Sequence, residues 1–421
     1  MDTALQQEWY SKGQVYAQAV NEMVAYTDKH GWDSWKGEEP KDKRSHLAEA
    51  VLNSLKAANA QGQVARFREQ FPPAHLPFVQ MLDQQGQSIQ NIHFSDNERL
   101  VFTVGSSYQE QPTYILDGQT LRPLKEARCV GKSLENDVFA LNMRSRKILL
   151  TQGQEGQVLH IFDLPHPNIT VTDLLPFPDG KAVLLVSSGG IYYLSEERTQ
   201  LMMPGPEELE EYFYDETEGD SLHILDMEHA AISPSGNFFC LGHQSSDHLV
   251  YNRQLELIAE LPPESSYPHF ALFAKDESQL IMNACHFYNG ATYGVSTKDL
   301  PDFRTAEWPS EEERFQTIDE ACRVYAGVAT KDYYILGDAY GYIRAFDKKG
   351  NNLWRYFLGS TISGMALSPD ENTLAVGTYA GILHKLKLNK GHRDTHTIGN
   401  GKHYEEFRLL MWKEENQALF W

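Results

Sequence analysis

The spacing of apolar residues changes period once along the chain, near residue 89. Before that point Leu5, Trp9, Tyr16, Val20 and Met23 follow one another at steps of three, four and seven, which places them on one face of a helix. That helix is expected to end near His30-Gly31, where a glycine follows the last periodic turn. A polar stretch over residues 37–44 separates it from a second helix, on which Leu47, Val51 and Leu55 repeat every four residues. A third, short helix carries Val64, Phe67 and Phe71, and Pro72-Pro73 stops it. The three apolar stripes predict a face that packs against the rest of the chain.

From residue 89 the apolar runs shorten to four to seven residues, and one unit recurs: short strand, turn, strand, loop, strand ending in an acid or amide. The clearest copy is Met365-Ala366-Leu367-Ser368-Pro369-Asp370, followed by residues 373–378 and 381–386. A second reads Ala231-Ile232-Ser233-Pro234-Ser235-Gly236, then 238–242 and 248–252. Others begin at Ile92, Leu175, Phe270 and Val324, and a weaker one spans 138–142, 147–151 and 158–163. Their turns lie about 46 residues apart, near the ~40–45 of a propeller blade. Pro-Asp and Pro-Ser-Gly make tight reversals between paired strands. One four-stranded blade cannot bury both of its faces, so neighbours must stack into a ring. The expected fold is therefore mainly β, a seven-bladed β-propeller over residues 89–421 with an N-terminal α-helical extension over 1–88. Two segments are candidates for the outer strand of the last blade, residues 78–83 and residues 407–412. The apolar end Ala418-Leu419-Phe420-Trp421 is expected to be tied down, against the N-terminal helices.

The units resemble blades of the WD-repeat and quinoprotein-like propeller superfamily, over roughly three-quarters of the chain. The sharpest match is Tyr342-Ile343-Arg344-Ala345-Phe346-Asp347-Lys348-Lys349-Gly350-Asn351-Asn352-Leu353-Trp354, similar to a quinoprotein repeat. That resemblance implies that Trp354 docks between adjacent blades. No repeat unit combines a Gly-His pair with a Trp-Asp pair as WD repeats do, and the vicinal cysteines of quinoprotein dehydrogenases are absent. The resemblance therefore implies a fold, and carries no quinone cofactor and no catalytic site onto this sequence.

Composition narrows the function. The formal charge is −21, and residues 1–88 hold 9 basic and 11 acidic side chains, so nearly all of the excess lies in the repeats. Such a field repels phosphate backbones, so no nucleic-acid binding is expected; it draws in basic partners. No apolar run approaches the length of a membrane span, and the polar start MDTALQQEWY does not resemble a signal peptide. Cys129, Cys240, Cys285 and Cys322 are far apart and include no C-x-x-C pair, as expected of free thiols in a reducing compartment. A cytoplasmic location is the expectation. No nucleophile elbow, phosphate-binding loop or H-E-x-x-H occurs. His243, Asp247 and His248, and His392, His396 and His403, are the tightest histidine groups, and surrounding glycines make the second a loop. Neither a metal site nor a cofactor is expected.

The insertions carry the candidate binding residues. Between the third and fourth blades, Glu207, Glu208, Glu210, Glu211, Asp215 and Glu216 surround Tyr212-Phe213-Tyr214. A second insertion, with Trp308, Glu311 and Glu312, is read as joining the fifth blade to the sixth. Blade-to-blade loops and second-to-third-strand loops open on one face, so both insertions are expected there, with Tyr108, Tyr288, Tyr340 and Tyr379. Aromatic side chains anchor protein interfaces, and surrounding acids select a basic partner. The function expected is non-catalytic protein binding; one concrete form is a bacterial immunity or antitoxin protein that covers a basic toxin domain. A general scaffold, or a sensor propeller with the helices as docking arm, fits the same features. An enzyme with its site in the central channel is the remaining alternative. The innermost strands read as mostly small or apolar, with only His93 and His269 as candidate catalytic groups.

Overall fold

The computed structural model describes residues 3–105, 111–167, 169–206, 208–209, 225–391 and 394–421. Their strands form seven sheets, the blades, spanning 89–123, 127–163, 171–203, 229–261, 267–319, 324–357 and 362–410. Within each blade the chain runs outward through four antiparallel strands. The innermost strands contact one another in chain order, and that of blade 7 (Ile362–Leu367) closes against that of blade 1 (Ile89–Phe94). The molecule is a seven-bladed β-propeller with N-terminal helices.

The repeat grammar has a physical basis at each turn. In blade 7 the Ser368 hydroxyl donates to Asp370 Oδ1 (2.7 Å) and accepts from Thr373 N–H (2.9 Å), closing the reversal between the two innermost strands. Ser233 does the same in blade 4, where its hydroxyl accepts from Phe238 N–H and Gly236 takes a φ of +76°. The second strands are buried along their whole length, as in Leu100–Val104, Ala182–Ser187 and Thr373–Thr378. Blades pack on both of their faces, so these strands read as unbroken apolar runs and not as alternation. Trp354 packs between blades 6 and 7, among Ile335, Ile343, Ile362 and Leu386. All four cysteines are free and buried.

Helices α1 (Thr3–His30), α2 (Ala48–Ala60), α3 (Val64–Gln70) and α4 (Val79–Gln85) make up the extension. Their apolar faces share one core with the outer part of blade 7: Trp9, Val51, Leu55, Phe67 and Phe78 pack with Ile382, Leu410, Trp412 and Trp421. Blade 7 takes its fourth strand from Tyr404–Leu410 and a fifth, short one from Leu419–Phe420. Of the two segments considered for that place, residues 78–83 belong to the turn before α4 and to α4 itself. Phe78 and Leu82, four apart, face the helical core. The four main strands of each blade thus come from one continuous stretch of chain, and the outer part of blade 7 is covered and braced by helices instead of closing on a borrowed strand. Trp421 lies in that brace, donating from Nε1 to the Phe71 carbonyl (2.8 Å). No helix among the described residues is long and apolar enough to cross a membrane.

Candidate functional site

The blade-to-blade loops and the second-to-third-strand loops open on one face of the ring, around one mouth of the central channel. Six of the seven innermost strands carry a β-bulge in their first half, next to this mouth. A bulge places an extra residue against the partner strand and re-aims its side chain. Here the bulged positions put Asn91, Thr172, His269, Tyr325 and Ser363 on the channel wall. The channel has a volume of about 690 Å³.

The collar is hydrogen-bonded across the ring. Asn91, at a φ of +48°, donates to Asp173 Oδ1 (3.1 Å) and to the Thr172 carbonyl (3.2 Å). Thr172 in turn donates to Glu228 Oε1 (3.0 Å). Burial pushes the Asp173 carboxyl up to about 6, against the pull of the Leu174 N–H and the Asn91 amide. Burial raises Glu228 as well. His93 and His269 each tie their blade to the next, through the Val130 carbonyl (3.3 Å) and the Val324 carbonyl (2.7 Å). Burial holds both near 4, so they are neutral inter-blade struts. Sequence reading missed Asp173, Thr172 and Glu228. The available signal was offset: Val171–Pro176 precedes its turn as Ile89–Phe94 precedes Ser95, which aligns Asp173 with Asn91.

Beside the mouth, over blades 5 to 7, lies a crescent of aromatic side chains. Phe287 is 74 % exposed, Tyr288 59 %, and Tyr340 and Tyr379 49 % each. Tyr288 and Tyr340 are 6.1 Å apart between ring centres, and the Tyr340 hydroxyl reaches Asn289 Oδ1 (3.1 Å). Tyr379 meets Tyr325 edge-on at 5.7 Å, which joins the crescent to the collar. Arg323 lies over the Tyr325 ring at 4.4 Å, and its Nε, shielded from solvent, has no hydrogen-bond partner.

The remaining expected residues fall in three places. Tyr108, Glu207, Glu210, Glu211, Tyr212, Phe213, Tyr214, Asp215 and Glu216 lie outside the described residues. Glu208 is on the expected face but already committed: it accepts from Gly205 N–H (2.8 Å) and pairs with His243 Nε2 (2.9 Å), which holds its carboxyl low. Trp308, Glu311 and Glu312 require a correction. They precede Phe315–Asp319, which is the fourth strand of blade 5 because it pairs with Asn289–Ser296. Their segment is therefore a third-to-fourth-strand connection and not a blade-to-blade loop; it leaves from the opposite face and climbs the rim as far as Glu264, in the connection between blades 4 and 5. It runs along the rim, pairs Phe303–Arg304 with the edge of blade 4, and fastens Ser310 to Glu264. Trp308 remains half exposed there, while the Arg314 fork holds the Glu312 carboxyl at about 2. Among the described residues no group of three or more His, Cys, Asp or Glu could hold a metal ion. His248 instead faces His229 (3.0 Å).

No family model matches the chain, and no curated protein matches it. Among solved structures it is similar to the β-propeller domain of Cps50 (Swd1) from Myceliophteria thermophila. The two share 12 % identity over 69 % of this chain and 93 % of that one, with a TM-score of 0.49. What the chain binds has to be argued from its own surface.

Proposed function

We propose that the chain is a non-catalytic protein-binding propeller, and that the aromatic crescent over blades 5 to 7 is where a partner docks. The observation that carries this reading is the exposure of Phe287, Tyr288, Tyr340 and Tyr379 on the second-to-third-strand loops of three neighbouring blades, with two ring pairs, Tyr288–Tyr340 and Tyr379–Tyr325, the last on an innermost strand. Exposed aromatics joined in this way bury large area at low rotamer cost. The orphaned Arg323 Nε supplies a directional donor in their midst. A basic partner is favoured by the charge of −21, which speeds the approach of a cation, although the described part of the crescent itself contains Arg323 and no exposed acid. A scaffold fits this reading, and so does an inhibitor of immunity or antitoxin type that covers a basic domain. The channel collar supports a lesser role, in which a side chain of the partner enters the mouth beside Asp173 and Glu228.

The test is affinity capture from native lysate with quantitative mass spectrometry. Wild type is compared with the Tyr288→Ala/Tyr340→Ala/Tyr379→Ala variant and with Trp308→Ala on the rim. Loss of a partner in the triple variant alone is expected. Retention of every partner at wild-type level in that variant, provided its melting temperature is unchanged, sinks the crescent as the docking face.

A further inference from the structure

A second cavity, of about 70 Å³, lies where the helical extension meets blades 6 and 7. Arg44 and Arg408 reach it from opposite sides, and Arg68, His75 and His396 complete its polar wall. Both Arg44 and Arg408 are nine-tenths buried and are only partly used. Arg44 forks Asp42 through Nε (2.9 Å) and Nη2 (2.7 Å), and its plane lies over Trp9. Arg408 spends its Nε on both oxygens of Glu405 (2.6 and 2.9 Å). Glu405 is further held by Arg68 and by His384, so it has nothing left to offer. Arg44 Nη1, Arg408 Nη1, His75 Nδ1 and both ring nitrogens of His396 are then shielded from solvent without a partner among the described residues.

These orphans are all donors or donor-capable, and leaving one buried and unpaired costs about 1–3 kcal/mol, more for a charged group. Charge points the same way. Arg44 and Arg408 each pair with one buried carboxylate, Asp42 and Glu405 respectively, while Arg68, which also contacts Glu405, donates to the main-chain oxygens of Trp421 and Glu405; the third carboxylate on the wall, Asp394, is exposed and accepts from the His396 backbone N–H. Burial and the Arg408 charge hold His75 down at about 3, so it adds no positive charge of its own. A glycine inside α1 keeps the space open: a methyl group at Gly13 would overlap the Arg44 guanidinium and press on His396 Nδ1. Glycine there costs about 1 kcal/mol of helix propensity relative to alanine, which the retained space offsets.

We propose that this cavity binds one small tetrahedral oxyanion, of phosphate or sulfate size, as a clasp between the helices and the propeller. Its oxygens accept from Arg44 Nη1, Arg408 Nη1 and the two histidines, and its charge cancels the surplus guanidinium. Guanidinium forks suit such ions in geometry as well as charge. The volume exceeds the ~10–15 Å³ that a single water needs.

The full chain, dialysed into chloride, is titrated with inorganic phosphate and separately with sulfate at constant ionic strength, while its melting temperature and binding heat are followed. An acid extract of undialysed protein is assayed for both ions. Either a stoichiometric ion in the extract or a saturable stabilisation that chloride does not reproduce is expected. Arg44→Gln, His396→Ala and the charge-preserving Gly13→Ala should each weaken binding by about tenfold or more. Absence of the ion in the extract together with no saturable response overturns the proposal. So does equal affinity in all variants that fold, which would mark a general salt effect.

Discussion

Asp173 is a titratable group on the channel wall that burial shifts well away from its ordinary range. It is a buried carboxylate whose hydrogen-bond donors, Leu174 N–H and Asn91 Nδ2, do not offset its lost hydration. Its folded-state value of about 6 lies above the 3.8 of a free side chain. Between those two values the folded chain holds a proton that the unfolded chain has released, so its contribution to stability is present below about pH 4 and is lost as pH rises through 6. The difference amounts to roughly 3 kcal/mol. Asp173→Asn keeps a carbonyl oxygen for both donors and removes the charge. It should be more stable than wild type at pH 7.5, with the advantage shrinking steadily towards pH 4.5 in urea melts. A constant difference across that range would mean that Asp173 is not the group responsible.

Among the elements, the end strand Leu419–Phe420 with Trp421 is small but central. Trp421 is buried against Phe78 (ring centres 5.4 Å apart), Phe67 (6.0 Å) and Trp9 (6.2 Å), and its carbonyl accepts from Arg68. Trp421→Ala should cost about 3–5 kcal/mol, seen as a lowered midpoint in chemical denaturation; an unchanged midpoint would remove Trp421 from the brace. The apolar periodicity of α1 to α3 and the second strands of the blades were readable, because burial on one stripe or on both faces leaves a distinct sequence pattern; in blade 2 the innermost strand, Ala127–Lys132, was missed, and the segments read as its unit are its second, third and fourth strands. Outer strands were harder. Phe315–Asp319 has only two apolar residues and follows a long connection, so its segment looked like a loop between blades. Of the collar only His93 and His269 were read from the sequence; the strand offset could have aligned Asp173 with Asn91, but the bulges themselves are a property of register between two strands and not of spacing within one. The crescent tyrosines were legible as loop aromatics, but their contiguity comes only from ring closure.

On the scale of the whole molecule, the extension is part of the ring. Removing residues 1–85 would uncover Ile382, Leu410, Trp412 and Trp421 together, an apolar patch of the kind that drives association. The shortened chain is expected to give less soluble protein, a lower melting temperature and stronger binding of a hydrophobic dye. Unchanged values for all three would show that blade 7 stands without its cover. The same brace joins segments far apart in sequence: the Trp421–Phe71 hydrogen bond spans 350 residues, and Asn59 meets Phe420 across 361. Contacts of such separation form late, because the intervening chain must be ordered first. During synthesis the helical segment emerges before any of the strands it covers, with Trp9, Phe67 and Phe78 unmatched until the seventh blade has left the ribosome. For that interval the nascent chain presents a sticky amphipathic surface, which makes it a natural client for chaperones that shield early-emerging segments.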